Sequence, residues 1–517
     1  MKKPVCFFLT LVLLIGCQSS RLETLGPGDK SSVTVVMDPA SEPEAGFDPA
    51  FGWGAGEHVH EPLIQSTLTV TNPDLTIGYD LATGLEASGD GMAWTVTIRD
   101  GVKFTDGEPL TAADVAFTYN TIKASSSVND FTMLDHAEAA DGTTVIFHMA
   151  RPFSIWPYTM AIVGIVPEHA YNPADYGGNP IGSGRYVLKQ WDRGQQVILE
   201  ANPDYYGGAP RMERVTILFM EENAAFLAVQ AGQADVAYTS AAYSDQTVDG
   251  YSLLAVHTVD NRGVNLPVTM ALPTIELPVR QAINMGIDRQ AMIDHVLNGY
   301  GTPAYSVCDG LPWYNPINEV EYDRSGAKAL LDEWGWPVGP DGIRVRGTSE
   351  MKLQLTIHYI AGDSVRQGLA AELANQLREL GIGADVKGVG WDTAYTDAQS
   401  NPLIWGWGAH TPMELYNIYH TDDPEGYSAR YSPYSCTYVD ELMDAALSCP
   451  DLEESYTLWQ KAQEEIAGDV PWVWLVNVDH LYWVRDGLEV AEQKIHPHGH
   501  GWSIVNNIDA WEWDAFS

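Results

Sequence analysis

Hydrophobic residues recur along the chain at the spacings of both helices and strands. After Thr111, a residue type that caps helices, the apolar side chains of Val115, Tyr119 and Ile122 fall on one helical face. A second stripe with the same period follows Pro278, which stands where a first helical turn tolerates proline. Each pattern predicts an amphipathic helix.

The stretch from 364 to 386 combines both spacings. Ser364 and Gln367 predict a capping box, the four leucines within 369–380 predict a buried stripe, and Gly381 predicts the end of the helix. The apolar positions of 382–386 then alternate as in a strand. A helix followed promptly by a strand is typical of α/β proteins with mixed sheets, which is the fold class that we predict.

The composition is that of a globular and strongly acidic protein. The chain has 517 residues, with 28 Lys or Arg against 69 Asp or Glu, so its formal charge is −41. A content of 45% hydrophobic residues argues against disorder, and a surface that repels phosphate argues against nucleic acid as a partner. The length predicts roughly three domains.

The first residues read as an export signal. A basic Met-Lys-Lys start is followed by an apolar run over 5–15, which is too short to span a bilayer. The run ends in LIGC at 14–17, which resembles a bacterial lipobox. We therefore expect a signal peptide over 1–16, a lipid on Cys17, a stalk over 17–31 and an extracytoplasmic protein anchored to a bacterial membrane. The alternative is a secreted protein with an unmodified Cys17.

The cysteines and a search for catalytic motifs give little information about function. An oxidising compartment allows one disulfide among Cys308, Cys436 and Cys449, and proximity in sequence favours the pair Cys436–Cys449, with Cys308 as a small buried residue. G-x-S-x-G, Walker A, H-E-x-x-H and C-x-x-C motifs are absent from the sequence. We therefore expect a binding protein, not an enzyme.

Six motifs in one order carry a family resemblance. They are DGEPLTAADV at 106–115, GSGRY at 182–186, NPDYYGG at 202–208, VRQAINMGIDR at 279–289, AKALL at 327–331 leading to GW at 335–336, and LRELGI at 377–382. The series resembles the extracytoplasmic solute-binding proteins, family 5, which serve ABC importers of peptides and nickel. These motifs are mostly turns, caps and helices, so they indicate the fold and leave the ligand open.

The resemblance implies a two-lobed periplasmic-binding-protein fold, type II, cluster C, with an extra subdomain in the first lobe. By analogy, lobe I covers 32–265 with the subdomain at about 75–181, lobe II covers 266–479, and 480–517 returns to lobe I. Such proteins close over their ligand by a hinge motion, and the closed form is recognised by the permease subunits of the transporter. We expect a monomer.

Histidines indicate what the ligand is. His496, His498 and His500 lie within five residues, and Pro497 with the neighbouring glycines allows this segment to curl so that imidazoles converge. Imidazole nitrogens suit Ni²⁺, Cu²⁺, Zn²⁺ and Co²⁺, and their type does not select among these ions. The alternative is a solvent-exposed loop that happens to contain histidines.

The resemblance adds two further candidate regions. His58 falls where the first lobe of this family approaches its ligand. In the peptide binders of the family, an acidic residue in a Trp-Gly-Asp-like segment pairs with the peptide amino terminus, whereas here Trp405 and Trp407 precede Ala409-His410, with Glu414 the only carboxylate close by. This difference weakens the peptide interpretation, and we expect the two tryptophans to form cleft walls.

These observations favour a nickel-binding lipoprotein whose metal ligands are His58, His496, His498, His500 and His410. The ion arrives bare or as a chelate with a small metallophore such as free histidine, and its affinity is expected to fall as the pH drops through about 6.5. One alternative is an oligopeptide or dipeptide binder of the same fold. The other is an extracytoplasmic zinc hydrolase that uses the three C-terminal histidines, with Glu57 or Glu61 as its base.

Overall fold

The computed structural model describes residues 30–51, 54–55, 58–59, 61–125, 131–347, 351–421, 433–498 and 501–514. The predicted signal peptide, Cys17 and His500 lie outside these residues, as does the side chain of His58. In the part of the chain that is described, no helix has both the length and the apolar character needed to cross a membrane.

Strands and helices are interspersed along the chain, although several strands follow one another without a helix between them, as over 54–98. The strands are β1 Ser32–Met37, β2 Gly54–Ala55, β3 His58–Val59, β4 Thr69–Thr71, β5 Ile77–Tyr79, β6 Ala82–Ala87, β7 Ala93–Ile98, β8 Leu134–Ala139, β9 Thr144–Met149, β10 Tyr186–Asp192, β11 Gln196–Ala201, β12 Arg214–Phe219, β13 Val236–Thr239, β14 Tyr251–Val256, β15 Asn261–Asn265, β16 Gly301–Pro303, β17 Val345–Arg346, β18 Met351–Lys352, β19 Gln354–Ile360, β20 Gly383–Val389, β21 Ile404–Trp405, β22 Trp472–Val478, β23 His480–Arg485, β24 Leu488–Glu489 and β25 Glu512–Trp513.

The helices cover the faces of the sheets and fill the spaces between them. They are α1 Ala112–Ala124, α2 Trp156–Met160, α3 Glu222–Gln230, α4 Leu277–Gly286, α5 Arg289–Val296, α6 Arg324–Glu333, α7 Ser364–Glu379, α8 Trp391–Asp397, α9 Met413–Tyr419, α10 Thr437–Leu447 and α11 Leu452–Asp469. Short 3₁₀ helices occur at Pro39–Ser41, Ala241–Tyr243, Pro273–Ile275, Pro316–Asn318 and Trp502–Ala510.

Three sheets organise the molecule. The first is mixed, in the order β10-β11-β12-β1-β13-β23-β14, with β1 parallel to both β12 and β13. The second has the antiparallel order β16-β22-β15-β21, beside the parallel pair β19-β20 that is connected through α7. The third is the antiparallel sheet β6-β7-β9-β8, against which α1 packs. The predicted α/β architecture with two lobes is therefore confirmed.

Local sequence rules explain the helix boundaries, with one correction. Thr111 caps α1, and its backbone N–H donates to Asp114 Oδ2 at 2.9 Å. At α7 the predicted cap, Ser364, is wrong because Asp363 occupies that position and accepts from the Arg366 N–H at 2.8 Å. Carboxylates are strong helix caps, so the helix begins one residue earlier than the Ser-Gln pair predicts. Gly381 ends α7 with φ of +82°, as predicted.

The chain passes between the first and second sheets at adjacent segments. One crossing connects β14 to β15 through residues 257–260, and another connects β22 to β23 through Asp479. The Val478 N–H donates to the Asp260 carbonyl at 2.8 Å, which holds the two crossings together. The C-terminal segment is bound to the first crossing as well, because the Val259 N–H donates to the His496 carbonyl at 2.9 Å. Movement of one lobe against the other must therefore bend these neighbouring segments.

The lobes also touch away from the crossings. The Ser154 N–H, next to the third sheet, donates to the carbonyl of Leu447 in α10 at 2.8 Å. The hydroxyl groups of Tyr158 and Tyr456 lie 2.7 Å apart. The structure thus has the lobes in contact.

The predicted disulfide is not formed. Cys308, Cys436 and Cys449 are all free thiols, so the proposed Cys436–Cys449 pair is wrong. Proximity in sequence does not bring two side chains into the narrow geometry of a disulfide. Cys308 is buried, as expected, and burial raises the pKa of its thiol well above the ordinary value.

We expect thiol titration to reflect this arrangement. In a chain that begins at Lys30, Ellman's reagent should detect three thiols after denaturation with guanidinium, and Cys308 should not react in the native protein because it is buried and protonated. A Cys308→Ser variant serves as the control, since it should lose one thiol only in the denatured titration. A single thiol in the denatured wild type would show that the disulfide exists.

Candidate functional site

A buried group of polar side chains lies where the chain crosses between the lobes. We call Asp260, Arg262, His480, His496 and His498 the hinge cluster. Asp260, Arg262, His480 and His496 are buried, and the side chain of His498 is 9% exposed. They come from the first crossing and the start of β15, from the start of β23, and from the C-terminal segment. The cluster thus joins the two crossings to the C-terminal segment.

Asp260 is the centre of the hinge cluster. Its carboxylate accepts from the Arg262 guanidinium at both oxygens, from His498 Nδ1 at Oδ1, and from His480 Nε2 at Oδ2 over 3.4 Å. Burial opposes ionisation, but Arg262 and His498 hold the pKa of Asp260 well below its usual range. The carboxylate is therefore an ionised group inside the protein.

His496 uses both ring nitrogens within the protein. Its Nδ1 lies 3.2 Å from His480 Nδ1, and its Nε2 lies 3.0 Å from Gln493 Oε1. Burial, followed by the neighbouring His480, holds the pKa of His496 well below 6.5. The ring is therefore neutral and is oriented by its partners.

His410 lies beside the hinge cluster, on the loop before α9. Burial lowers the pKa of its imidazole to about 3, so the ring is neutral. Its Nε2 is buried and has no hydrogen-bond partner among the described residues. This nitrogen is an available donor or acceptor next to the crossing.

The structure brings part of the predicted metal set into one region. His410, His496 and His498 all adjoin the crossing, but within the described residues their donor atoms do not form a group tight enough for one ion. The imidazole of His58 and the whole of His500 are not described, so the five-histidine site remains a prediction.

The expected pH dependence needs correction for these three residues. Burial lowers the pKa of His498 as it does those of His410 and His496, although Asp260 opposes the shift. A histidine with a depressed pKa stays neutral until the pH falls below its folded value. Proton competition at these residues would therefore begin below pH 6.5.

Two glycines allow the segment that carries Trp405 and Trp407 to lie close to the hinge backbone. Along 405–408 the indoles point to one side and the glycines to the other, as in a strand. A Cβ at Gly406 would lie 2.7 Å from Arg262 Nη1, and one at Gly408 would lie 2.4 Å from the Val259 carbonyl oxygen. The glycines are thus required by close backbone approach at the hinge, a reason that the sequence did not reveal.

The two indoles belong to a continuous aromatic band. Trp405 and Trp407 stack with centroids 5.9 Å apart and are 3% and 7% exposed. Tyr395 and Trp391 extend the band outward, since Trp391 is 48% exposed and lies 6.4 Å from Trp405. The outer end of the band is therefore accessible to solvent, and the role of Trp405 and Trp407 as cleft walls remains a prediction.

Parallel strands bring charged residues to the same side. Ligands of α/β proteins bind beyond the carboxyl ends of parallel strands. Asp363 and Arg366, which form an ion pair, follow β19, and Trp391 follows β20. Burial, and then the nearby Arg262, lower the pKa of Arg366. Sequence reasoning missed Asp260, Arg262 and Arg366, because single charged residues in an acidic chain give no signal.

Glu414 supports the loop that carries His410. Its carboxyl group accepts from the N–H groups of Gly408 at 3.1 Å and Ala409 at 2.8 Å. Burial raises the pKa of Glu414 to about 7. This residue thus holds backbone in place and is not a free anion for a cationic ligand.

Two lobes joined by adjacent crossings, with polar and aromatic groups gathered beside them, define a hinged solute-binding protein. A family model described as bacterial extracellular solute-binding proteins, family 5 Middle, matches residues 76–428. Protein XP55 of Streptomyces lividans is 31% identical over 480 residues, covering 89% of this chain and 86% of its own. The chain therefore belongs to the bacterial extracellular solute-binding proteins of family 5, which confirms the resemblance.

Two solved structures share this fold. The oligopeptide-binding protein AppA from Bacillus subtilis, in complex with a nonapeptide, has a TM-score of 0.70 and 26% identity, covering 94% of this chain and 99% of its own. NikZ from Campylobacter jejuni, in complex with Ni(L-His), has a TM-score of 0.76 and 21% identity, covering 93% and 99%. The fold thus occurs in proteins of both ligand classes.

Replacing Glu414 should change how stability depends on pH. The folded pKa of about 7 exceeds the ordinary 4.5, so the folded state retains a proton that the unfolded state loses. The stability that this proton gives is complete below pH 4.5 and is lost as the pH rises through 7, by at most about 3 kcal/mol. Glu414→Gln keeps a neutral side chain, so its thermal midpoint relative to wild type should be roughly 1 to 3 °C higher at alkaline than at acidic pH.

Differential scanning calorimetry at about pH 5 and about pH 8.5 measures this difference. The exposed Glu465 of α11 provides the matched control, because Glu465→Gln should show the same midpoint difference at both pH values. An equal difference for Glu414→Gln at both pH values would contradict the raised pKa.

Proposed function

We propose that this protein captures short peptides outside the cytoplasm and delivers them to the permease of an ABC importer. The observation that carries the proposal is that two of the C-terminal histidines, His496 and His498, already have partners within the protein. His496 uses both ring nitrogens, and His498 is bound to the buried carboxylate of Asp260. Because a metal ion would have to displace these contacts, the peptide interpretation takes precedence over nickel.

The character of the cleft supports a peptide. The ion pair of Asp363 and Arg366 and the exposed indole of Trp391 follow the ends of adjacent parallel strands. Such a surface offers polar groups to a peptide backbone and apolar area to its side chains. The oligopeptide-binding protein AppA is 27% identical over 537 residues, with 94% of this chain and 95% of its own covered.

The same proposal includes a lipid anchor and the division of the chain into two lobes. A lipid on Cys17 would hold the protein near its permease, and the lobes would divide near residues 266 and 480. Closure over a peptide would bend the crossing segments beside Asp260 and present the closed form to the transporter.

A nickel chelate is the second candidate, and His410 favours it. This residue offers a buried, neutral nitrogen with no hydrogen-bond partner among the described residues. A neutral imidazole nitrogen is the form that binds a transition metal. One such donor fits a chelate that brings its other ligands with it better than it fits a bare ion.

Calorimetric titration can separate the two candidates. The chelator-treated protein is titrated with a pool of short peptides that includes a nonapeptide, with Ni²⁺, and with Ni²⁺ plus free L-histidine. All titrations use a His136→Ala, His148→Ala background, which removes an exposed cluster able to bind Ni²⁺. We expect binding of peptides, and we expect Trp391→Ala to weaken it about tenfold because the outer end of the aromatic band is lost.

Trp334→Ala is the matched control, because Trp334 is 51% exposed and lies outside the aromatic band. Its affinity for peptides should equal that of the background protein. Heat only with Ni²⁺ plus histidine, abolished by His410→Ala, would overturn the peptide proposal in favour of the chelate. Absence of heat with every ligand would overturn both.

A further inference from the structure

The outer face of the third sheet carries a compact group of metal-binding side chains. His136 and Glu138 lie in β8, and His148 lies opposite in β9. One donor atom from each of the three residues lies within 4.8 Å of the other two, which is the only such group among the described residues. All three side chains are accessible to solvent, with exposures of 50%, 54% and 36% in the order His136, Glu138, His148.

Strand pairing brings these residues together. His136 and His148 are direct partners across the antiparallel pair, and Glu138 stands two residues from His136 on the same strand. The imidazole rings stack with centroids 4.4 Å apart and an angle of 15° between their planes. Because the backbone register fixes all three positions, only side-chain rotation is needed to place their donor atoms about 2 Å from one ion.

Hydrogen bonds orient both rings. Asp135 Oδ2 lies 2.8 Å from His136 Nδ1, which directs the opposite nitrogen, Nε2, outward. Glu138 Oε1 lies 3.1 Å from His148 Nε2, so an ion inserted between them would replace the shared proton. A carboxylate behind a histidine is the usual support for a metal ligand, because it fixes the tautomer and raises the basicity of the ring.

We propose that His136, His148 and Glu138 form a binding site for a divalent transition metal ion of the Zn²⁺, Ni²⁺ or Cu²⁺ type, with Asp135 as the positioning residue for His136. Two imidazoles and one carboxylate match the ligand preferences of these ions. The charge of the surroundings also suits a cation, since the two negative charges of Asp135 and Glu138 exceed the single positive charge of the nearby Lys123.

The site is independent of the cleft. It lies on the third sheet, whereas the hinge cluster lies at the crossing between the first and second sheets. The inference does not rest on the proposed function, because peptide transport and cross-strand metal binding can each be true without the other. It does mean that heat from Ni²⁺ added to the wild-type protein cannot be assigned to the cleft.

Zn²⁺ titration of the chelator-treated protein tests the site. We expect the wild type to bind one equivalent of Zn²⁺ that the His136→Ala, His148→Ala variant has lost. Either single variant should bind at least about tenfold more weakly, and Asp135→Asn should weaken binding by up to about tenfold through misorientation of His136. With Cu²⁺, electron paramagnetic resonance should show coupling to two imidazole nitrogens in the wild type and to none in the double variant.

His169 provides the matched control. Its imidazole is 41% exposed and pairs with Asp106 at 2.7 Å, but no second histidine adjoins it among the described residues. His169→Ala should therefore keep the wild-type stoichiometry and affinity. Circular dichroism and the thermal midpoint without metal verify that the variants fold. Unchanged Zn²⁺ stoichiometry in a folded double variant, or a Cu²⁺ spectrum that keeps two nitrogens, would overturn the proposal.

Discussion

The pairing of the buried Asp260 carboxylate is the constraint on which the arrangement of the lobes depends. A carboxylate removed from water costs several kcal/mol unless it is paired and hydrogen-bonded. Arg262 supplies the countercharge, while His480 and His498 complete the contacts from two other segments. Since these partners enter from different parts of the chain, the two crossings and the C-terminal segment are bound to the same carboxylate. Lobe movement must keep this group paired, and so it must occur as bending around Asp260.

The hinge and the aromatic band are parts of one structural unit. Gly406 and Gly408 lie against the hinge segment, and the two indoles that alternate with them project to the other side. Rotation of the hinge would therefore shift Trp405 and Trp407 directly, without an intervening element. Trp472 and Trp474, stacked 5.4 Å apart on β22, provide the surface against which Trp407 packs. A ligand that contacts the outer end of this band is thus mechanically connected to the closing motion.

Sequence patterns predicted the structural features that depend only on residues close together in the chain. The Thr111 cap, the leucine stripe of α7 and the Gly381 terminus follow from neighbours within a few residues, and all three are present. The failed predictions involved choices between neighbours or contacts between distant residues. Asp363 and not its neighbour Ser364 caps α7, and sequence proximity did not pair Cys436 with Cys449. Asp260 meets its histidine partners across 220 and 238 residues, so no pattern along the chain could identify it.

Burial removes charge from the loop beside the cleft, and this limits how the protein selects its ligand. His410 is neutral because its pKa lies near 3, and Glu414 retains its proton over most of the acidic range because its pKa lies near 7. Between about pH 4 and pH 6.5 neither side chain is substantially charged, so this loop gives a cationic ligand little Coulombic attraction. Charged residues near this loop are already paired, namely Asp260 with Arg262, Asp363 with Arg366, and Lys494 with Glu61. Contact of a ligand with this loop would then depend on aromatic surface and hydrogen bonds more than on charge.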